Sequence, residues 1–172
     1  MSGAGAPDLS VDASGLRVAV IAGSWHEEIM SSLIQGAHET LVASGADHTL
    51  FRVAGAFELP SAAQVALQNG FDAVVCLGVI IRGGTPHFDY VCNAVTDGLT
   101  RVQLDEGKPV GFGVLTPDTA QQALDRSGRP GAPESKGQEA SEAALHLAVQ
   151  LRQIREQGAT MELVPGARSD AS

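Results

Sequence analysis

The sequence predicts an α/β chain, a flavodoxin-like three-layer α/β/α sandwich with a four-stranded parallel sheet. Three observations lead there. Four short apolar runs rich in β-branched residues are each followed by a turn and a helix-period pattern. The longest, Phe71–Ile81, is apolar at successive positions, as a strand covered on both faces requires. The connections are short, so right-handed βαβ crossovers bring helices onto both sides of the sheet.

With 172 residues, 44% hydrophobic and 18% charged, the chain is one globular domain of ordinary size. Met1 to Gly15 is rich in Gly, Ala, Ser and Asp and is expected to be loose, or ordered only against a neighbour. Residues 16–157 form the folded unit, and 158–172 a flexible tail. Arg17–Ala22 is the first strand. After the Gly23–His26 turn, Ser24 with Glu27 fits a capping box. Ile29, Leu33, Ala37 and Leu41 then share one helix face, with Met30 and Ile34 beside them. Gly45 ends that helix. Asp47–Val53 is the second strand, Gly55–Glu58 its turn, and Pro60 opens a short helix through Leu67.

Phe71–Ile81 is the central strand, broken by Gly83-Gly84. Thr85 suits an N-cap and Pro86 the first helical position, because its missing N–H would be unpaired there anyway. Val91, Val95, Leu99 and Val102 line the core face of the helix that follows. Pro109–Thr116 is the fourth strand, with Thr116-Pro117-Asp118 starting another helix. A Gly/Pro-rich loop runs from Arg126 to Pro133. Ser135 with Gln138 then resembles a capping box before a last helix whose core face is Ala140, Ala144, Leu147, Leu151 and Ile154.

Net charge of −9 argues against nucleic acid or an anionic membrane as partner, so any anion must be held by a local site. No stretch could span a bilayer, and no basic segment followed by an apolar run opens the chain, pointing to the cytoplasm. Cys76 and Cys92 lack metal-ligand or C-x-x-C spacing and are expected to be free thiols. No His/Cys/Asp cluster has metal-ligand spacing, so no metal is expected. The glycines match neither G-x-G-x-x-G nor G-x-x-x-x-G-K-[ST].

In a doubly wound sheet, ligands sit beyond the carboxyl ends of the strands. Gly83, Gly84 and Thr85, at a helix start, offer backbone N–H groups and partial positive charge, a natural phosphate cradle. His87 stands in the first turn beside them. The helix dipole favours its neutral form and a bound phosphate its charged form, which suits proton transfer. A glycine turn with a surface histidine is the plain alternative. Trp25 either covers a helix end or stacks on a flat heterocycle. Glu58 either caps the helix at Pro60 or binds sugar hydroxyls. Arg126 and Lys136 flank a loop and could equally be solvated charge.

Together the turns resemble one family. G-A-F-E-L-P at Gly55–Pro60, L-G-V-I-I-R-G-G-T-P-H-F-D-Y-V at Leu77–Val91, G-V-L-T at Gly113–Thr116 and the A-L-D-R…K-G-Q-E-A pair are similar to the 6,7-dimethyl-8-ribityllumazine synthase family, in its order and roughly its spacing. The resemblance covers about Leu16 to Arg155. It implies condensation of 5-amino-6-(D-ribitylamino)uracil with L-3,4-dihydroxy-2-butanone 4-phosphate, the penultimate step of riboflavin biosynthesis, without cofactor or metal. By the same resemblance Trp25 would stack on the pyrimidine, backbone at Ala56, Phe57, Val79 and Ile80 would bind its edge, and Glu58 the ribityl hydroxyls. Gly83, Gly84, Thr85 and Arg126 would hold the phosphate, and His87 would move protons. Phe112, Arg126 and Lys136 would reach in from a neighbouring subunit. A homo-oligomer follows, and the Gly/Pro-rich loop points to a free pentamer over an icosahedral 60-mer, with a riboflavin synthase as a candidate partner. Rival readings are the carboxyaminoimidazole ribonucleotide mutase of purine synthesis, which Gly23-Ser24 echoes, an archaeal-type riboflavin synthase, and a shell-forming flavin- or lumazine-binding protein without turnover.

Overall fold

A computed structural model describes residues 7–162. Its elements follow the expected alternation: β1 (Arg17–Gly23), α1 (Glu27–Ala43), β2 (Asp47–Val53), α2 (Leu59–Gln68), β3 (Ala73–Val79), α3 (His87–Glu106), β4 (Val110–Leu115), α4 (Ala120–Asp125) and α5 (Lys136–Glu162). The four strands form one sheet in the order β2-β1-β3-β4, and every pairing is parallel. This is the flavodoxin-like sandwich.

Alternation along the strands divides the core. Val18, Val20 and Ala22 of β1 with Val75 and Leu77 of β3 pack under α1 and α5, beside Met30, Leu33, Ala144 and Leu145. Ala19 and Ile21 with Val74 and Cys76 pack under α2 and α3, against Leu59, Leu67, Val95 and Leu99. β3 is buried at every position, which is why its sequence carries no polar alternation. β2 lies at the sheet edge and is mostly exposed. Two glycines set how closely α5 approaches: a Cβ on Gly111 would strike the Ala140 carbonyl, and one on Gly137 the Leu33 carbonyl of α1.

Several local expectations are corrected. Ser24 caps nothing: its hydroxyl donates to the Val53 carbonyl at 2.8 Å, and Glu27 pairs with Arg52 at 2.8 Å. The N-cap of α1 is His26, in the left-handed region at φ 57°. Pro86, not Thr85, is the N-cap of α3. Thr119 starts α4, its hydroxyl accepting the Gln122 N–H at 3.2 Å, so Thr116–Asp118 stays outside the helix. Before α5, the Gln138 amide donates forward to Glu142 and closes no box. The inner face of α5 holds Ala140, Ala144 and Leu145, whereas Leu147 and Leu151 are half-buried and Ile154 is exposed.

The ends differ from expectation as well. Ala13 is buried and its backbone N–H donates to the Ser44 carbonyl, with Val11 packed nearby, so part of the segment expected to be loose is seated on the core. α5 continues past 157 to Glu162. Residues 1–6 and 163–172 of the expected tails lie outside the described residues.

Candidate active site

The four turns beyond the carboxyl ends of the strands are laced into one edge. Ser24 joins the β1 turn to β2 through its N–H on Ala54 and its hydroxyl on Val53. Residues Ala56–Glu58 form one 3₁₀ turn rather than a plain loop. That turn leans on β3: a Cβ on Gly78 would stand 3.4 Å from the Ala56 Cβ. Beyond β3, Ile80 N–H donates to the Leu115 carbonyl at 2.8 Å and Arg82 N–H to Pro117 at 3.0 Å. The strand thus continues toward β4 up to the glycines. Because backbone groups alternate along it, those of Ile81 face the opposite way, above the end of β1. The Ile80 N–H is committed to β4, so of the Val79–Ile80 backbone expected to bind ligand it is the other groups that face the open edge.

Trp25 stands at this edge, 69% exposed, with Phe57 at 64%. A Cβ on Gly55 would lie 3.4 Å from the Trp25 ring and 3.4 Å from a Glu58 carboxylate oxygen, so ring and carboxylate bracket one glycine. Glu58 accepts the Gly55 N–H at 2.8 Å, closing the 3₁₀ turn, and stands at the N-cap position of α2 without a side-chain capping hydrogen bond to that helix. An exposed aromatic face beside a carboxylate held in place by backbone is a platform for a flat, polar ring.

Gly83, Gly84 and Thr85 cross this edge from β3 to α3, and all are exposed. A Cβ on either glycine would meet nothing within 4 Å, and neither has positive φ. Neither packing nor backbone strain within the chain asks for glycine there. His87 is the first residue of α3, exposed, directly after this loop.

The remaining candidates are elsewhere. Phe112 lies mid-strand in β4, registered with Cys76, and is 45% exposed. It lines a groove of about 230 Å³ with Thr96, Leu99, Thr100, Gln103 and Val110, between β4 and α3. Lys136 opens α5 on the other face of the sheet, where the next residue, Gly137, packs on Leu33. Its ammonium lies 2.6 Å from Glu139 and 3.1 Å from Glu134. Arg126 shares Glu134 at 3.9 Å and donates to the Gln122 carbonyl. Hydrogen bonds between residues 128 and 134 and between 126 and 136 close the intervening loop as a hairpin. The chain therefore gathers Trp25, Ala56, Phe57, Glu58, Gly83–Thr85 and His87, and sets Phe112, Arg126 and Lys136 apart.

Arg82 belongs to the edge and carried no role in the sequence, and Cys76 lies below it in the core of β3. Arg82 donates to Asp118 at 2.7 Å, and Asp118 lies in the β4 turn. That hydrogen bond, with Asp89 nearby, raises the guanidinium pKa above its ordinary value. The only sequence signal for Arg82 was its place just before the glycines. Cys76 is a free, fully buried thiol whose pKa burial pushes up to about 12, so it is inert as a nucleophile.

The family model described as 6,7-dimethyl-8-ribityllumazine synthase matches residues 15–152. The chain belongs to this family. A 6,7-dimethyl-8-ribityllumazine synthase of Leifsonia xyli is 62% identical over 157 residues, covering 90% of this chain and 99% of the relative. One of Clavibacter michiganensis is 57% identical, covering 90% of this chain and 99% of its own length. One of Streptomyces avermitilis is 58% identical, with 91% and 98% covered. The mutase and the archaeal-type riboflavin synthase gain no support from these matches. Among the described residues no helix of this family member is long and apolar enough to cross a membrane.

Proposed function

We propose that this chain is a 6,7-dimethyl-8-ribityllumazine synthase, condensing 5-amino-6-(D-ribitylamino)uracil with L-3,4-dihydroxy-2-butanone 4-phosphate. The observation that carries the reading is the open glycine loop running straight into His87 at the start of α3, on the same edge as the Trp25–Gly55–Glu58 platform. Family membership over most of the chain supports it.

The pyrimidine stacks on Trp25, its edge meeting backbone at Ala56, Phe57 and the Val79–Ile81 segment, with Glu58 on the ribityl hydroxyls. One Glu58 oxygen holds the Gly55 N–H, and carboxylates have acceptor capacity to spare. The phosphate rests on the N–H groups of Gly83, Gly84 and Thr85, where the helix N-terminus stabilises negative charge. The ring amine attacks the ketone carbon and water leaves, forming an imine. A proton then leaves C3 of the butanone chain as the C4–O bond to phosphate breaks, its electrons departing with the phosphate oxygens. The enol so formed tautomerises to a C3 carbonyl beside a new methyl group. The ribityl amine closes the ring on this new C3 carbonyl, and loss of a second water gives the lumazine. His87 moves protons in these steps, while most of the acceleration comes from holding two substrates in register.

Arg126, Lys136 and Phe112 complete the site from an adjacent subunit, Arg126 adding charge at the phosphate. Their separation from the turn cluster within one chain supports this, and so does the exposure of Phe112 on the α3 groove. The assembly is a free homopentamer in the cytoplasm, working without cofactor or metal and passing its product to a riboflavin synthase.

The test mixes both substrates with chelated, cofactor-free protein and follows lumazine fluorescence together with phosphate release. Fluorescence rising in step with phosphate, above the uncatalysed background, is expected. Folded oligomer giving no acceleration overturns the reading in favour of a binding or shell-forming relative. Light scattering in the same buffer measures the subunit number.

A further inference from the structure

We propose that Arg82 is a positioning residue, a brace that sets the glycine loop and His87 without touching substrate. Its side chain reaches three places at once. The guanidinium Nε donates to Asp118 at 2.7 Å, across 36 positions of sequence, in the turn after β4. Nη1 lies 3.4 Å from Asp89, in the first turn of α3. The guanidinium carbon stands 4.2 Å above the Phe88 ring, and Phe88 is the buried residue next to His87. The backbone N–H of Arg82 is fixed as well, donating to the Pro117 carbonyl at 3.0 Å.

These contacts close a frame around Gly83–Pro86. One end of the loop is tied to the β4 turn, and the other to the helix that carries His87. Inside it, two glycines have nothing within 4 Å of a built Cβ, so their own surroundings do not hold them. A loop of this composition is conformationally free, and catalysis by donors aimed at a phosphate requires that it not be. Arg82 meets that requirement with a planar fork, which satisfies a carboxylate on its edge while its face rests on an aromatic ring. A lysine ammonium cannot do both. With two carboxylates already engaged, its charge is largely spent on them, so Arg82 is the frame and not the phosphate ligand.

The inference rests on Gly83–Thr85 being the phosphate cradle. Steady-state kinetics with each substrate varied in turn compare wild type, Arg82→Lys, Arg82→Ala, Asp118→Asn and the Arg82→Ala/Asp118→Asn double variant. Subunit number and thermal midpoint are measured alongside. Wild-type turnover establishes the activity before any variant is read. If Gly84→Pro, which removes one of the cradle N–H groups, then leaves KM for the butanone phosphate unchanged, the cradle assignment fails on its own account.

With both in place, Arg82→Ala is expected to raise KM for the butanone phosphate about tenfold or more and to lower kcat. KM for the pyrimidine should stay within about twofold. Arg82→Lys should recover little. Asp118→Asn, which leaves Arg82 present, should shift the same two parameters, and the double variant should be no worse than Arg82→Ala alone. Folded variants with unchanged constants overturn the proposal. So do equal rises in both KM values with additive losses of thermal midpoint, because that pattern belongs to a general structural role. If Arg82→Ala does not fold, Asp118→Asn decides alone by the same criterion.

Discussion

The turn edge and the α4–α5 hairpin both carry candidate residues but are built in opposite ways. At the edge, Trp25, Phe57, the glycine loop and His87 are exposed and spend few of their polar groups on the protein. At the hairpin, Lys136 is only 17% exposed and already lies against two carboxylates, and Arg126 shares one of them. A surface that leaves donors and aromatic faces open waits for small ligands. A preassembled charge cluster on a stiff hairpin is a part ready to be inserted elsewhere. The two regions open helices on opposite faces of the sheet, so the contrast makes sense if each hairpin serves the edge of another copy.

The strongest way to break that comparison is catalytic. His87→Ala is expected to lower turnover about ten- to a thousandfold with substrates still bound, measured by single-turnover fluorescence and equilibrium binding. Co-refolding His87→Ala with Lys136→Ala subunits sharpens it. If the site is shared, about a quarter of head-to-tail interfaces regain both residues, and activity returns above either parent. Activity that never exceeds the parents' mean would place Lys136 in its own chain's site.

A second test acts on the hairpin's seat. Gly137→Ala would drive a Cβ into the Leu33 carbonyl, and overpacking at this main-chain contact costs about 1–3 kcal/mol. Denaturant unfolding should register that loss, whereas an unchanged midpoint would mean that α5 shifts freely on α1. At the edge, Trp25→Ala should raise KM for the pyrimidine by about two- to tenfold while leaving that for the butanone phosphate, given what aromatic stacking contributes. Equal effects on both substrates would remove the stacking role.

The smallest effect is electrostatic. The Arg52 hydrogen bond holds the Glu27 carboxyl below its ordinary pKa. A depressed carboxylate contributes stability above its unfolded pKa, and that contribution disappears as pH falls through the folded value. The small advantage of wild type over Glu27→Gln in thermal midpoint, present near about pH 7, should therefore vanish once the pH has fallen through the lowered folded pKa of Glu27. A difference that persists in acid would rule out the charge as its source.

Most of the architecture was legible along the chain, because burial pattern and turn composition are local properties. The doubly buried run at β3 and the glycine breaks need only a few consecutive residues to be recognised. The placement of Trp25, Glu58 and His87 just after strands follows from the same patterns, since the fold itself aims such turns at one edge. Cap identities were not legible. A serine hydroxyl has several acceptors in reach, and Ser24 chose Val53 on a neighbouring strand.

The sequence by itself thus determined the sandwich, the order of its elements and the glycine loop leading into a histidine. Periodicity and chain direction suffice for those. Only the tertiary structure decided that Glu58 closes its own turn and that the Ile80 N–H pairs with the Leu115 carbonyl. It also decided that Arg82 ties to Asp118 and Phe88, and that Phe112, Arg126 and Lys136 stand apart from the edge. Each of these depends on which of several competent partners the folded chain brings within about 3–4 Å, and that distance is set by packing between layers and not by spacing in sequence.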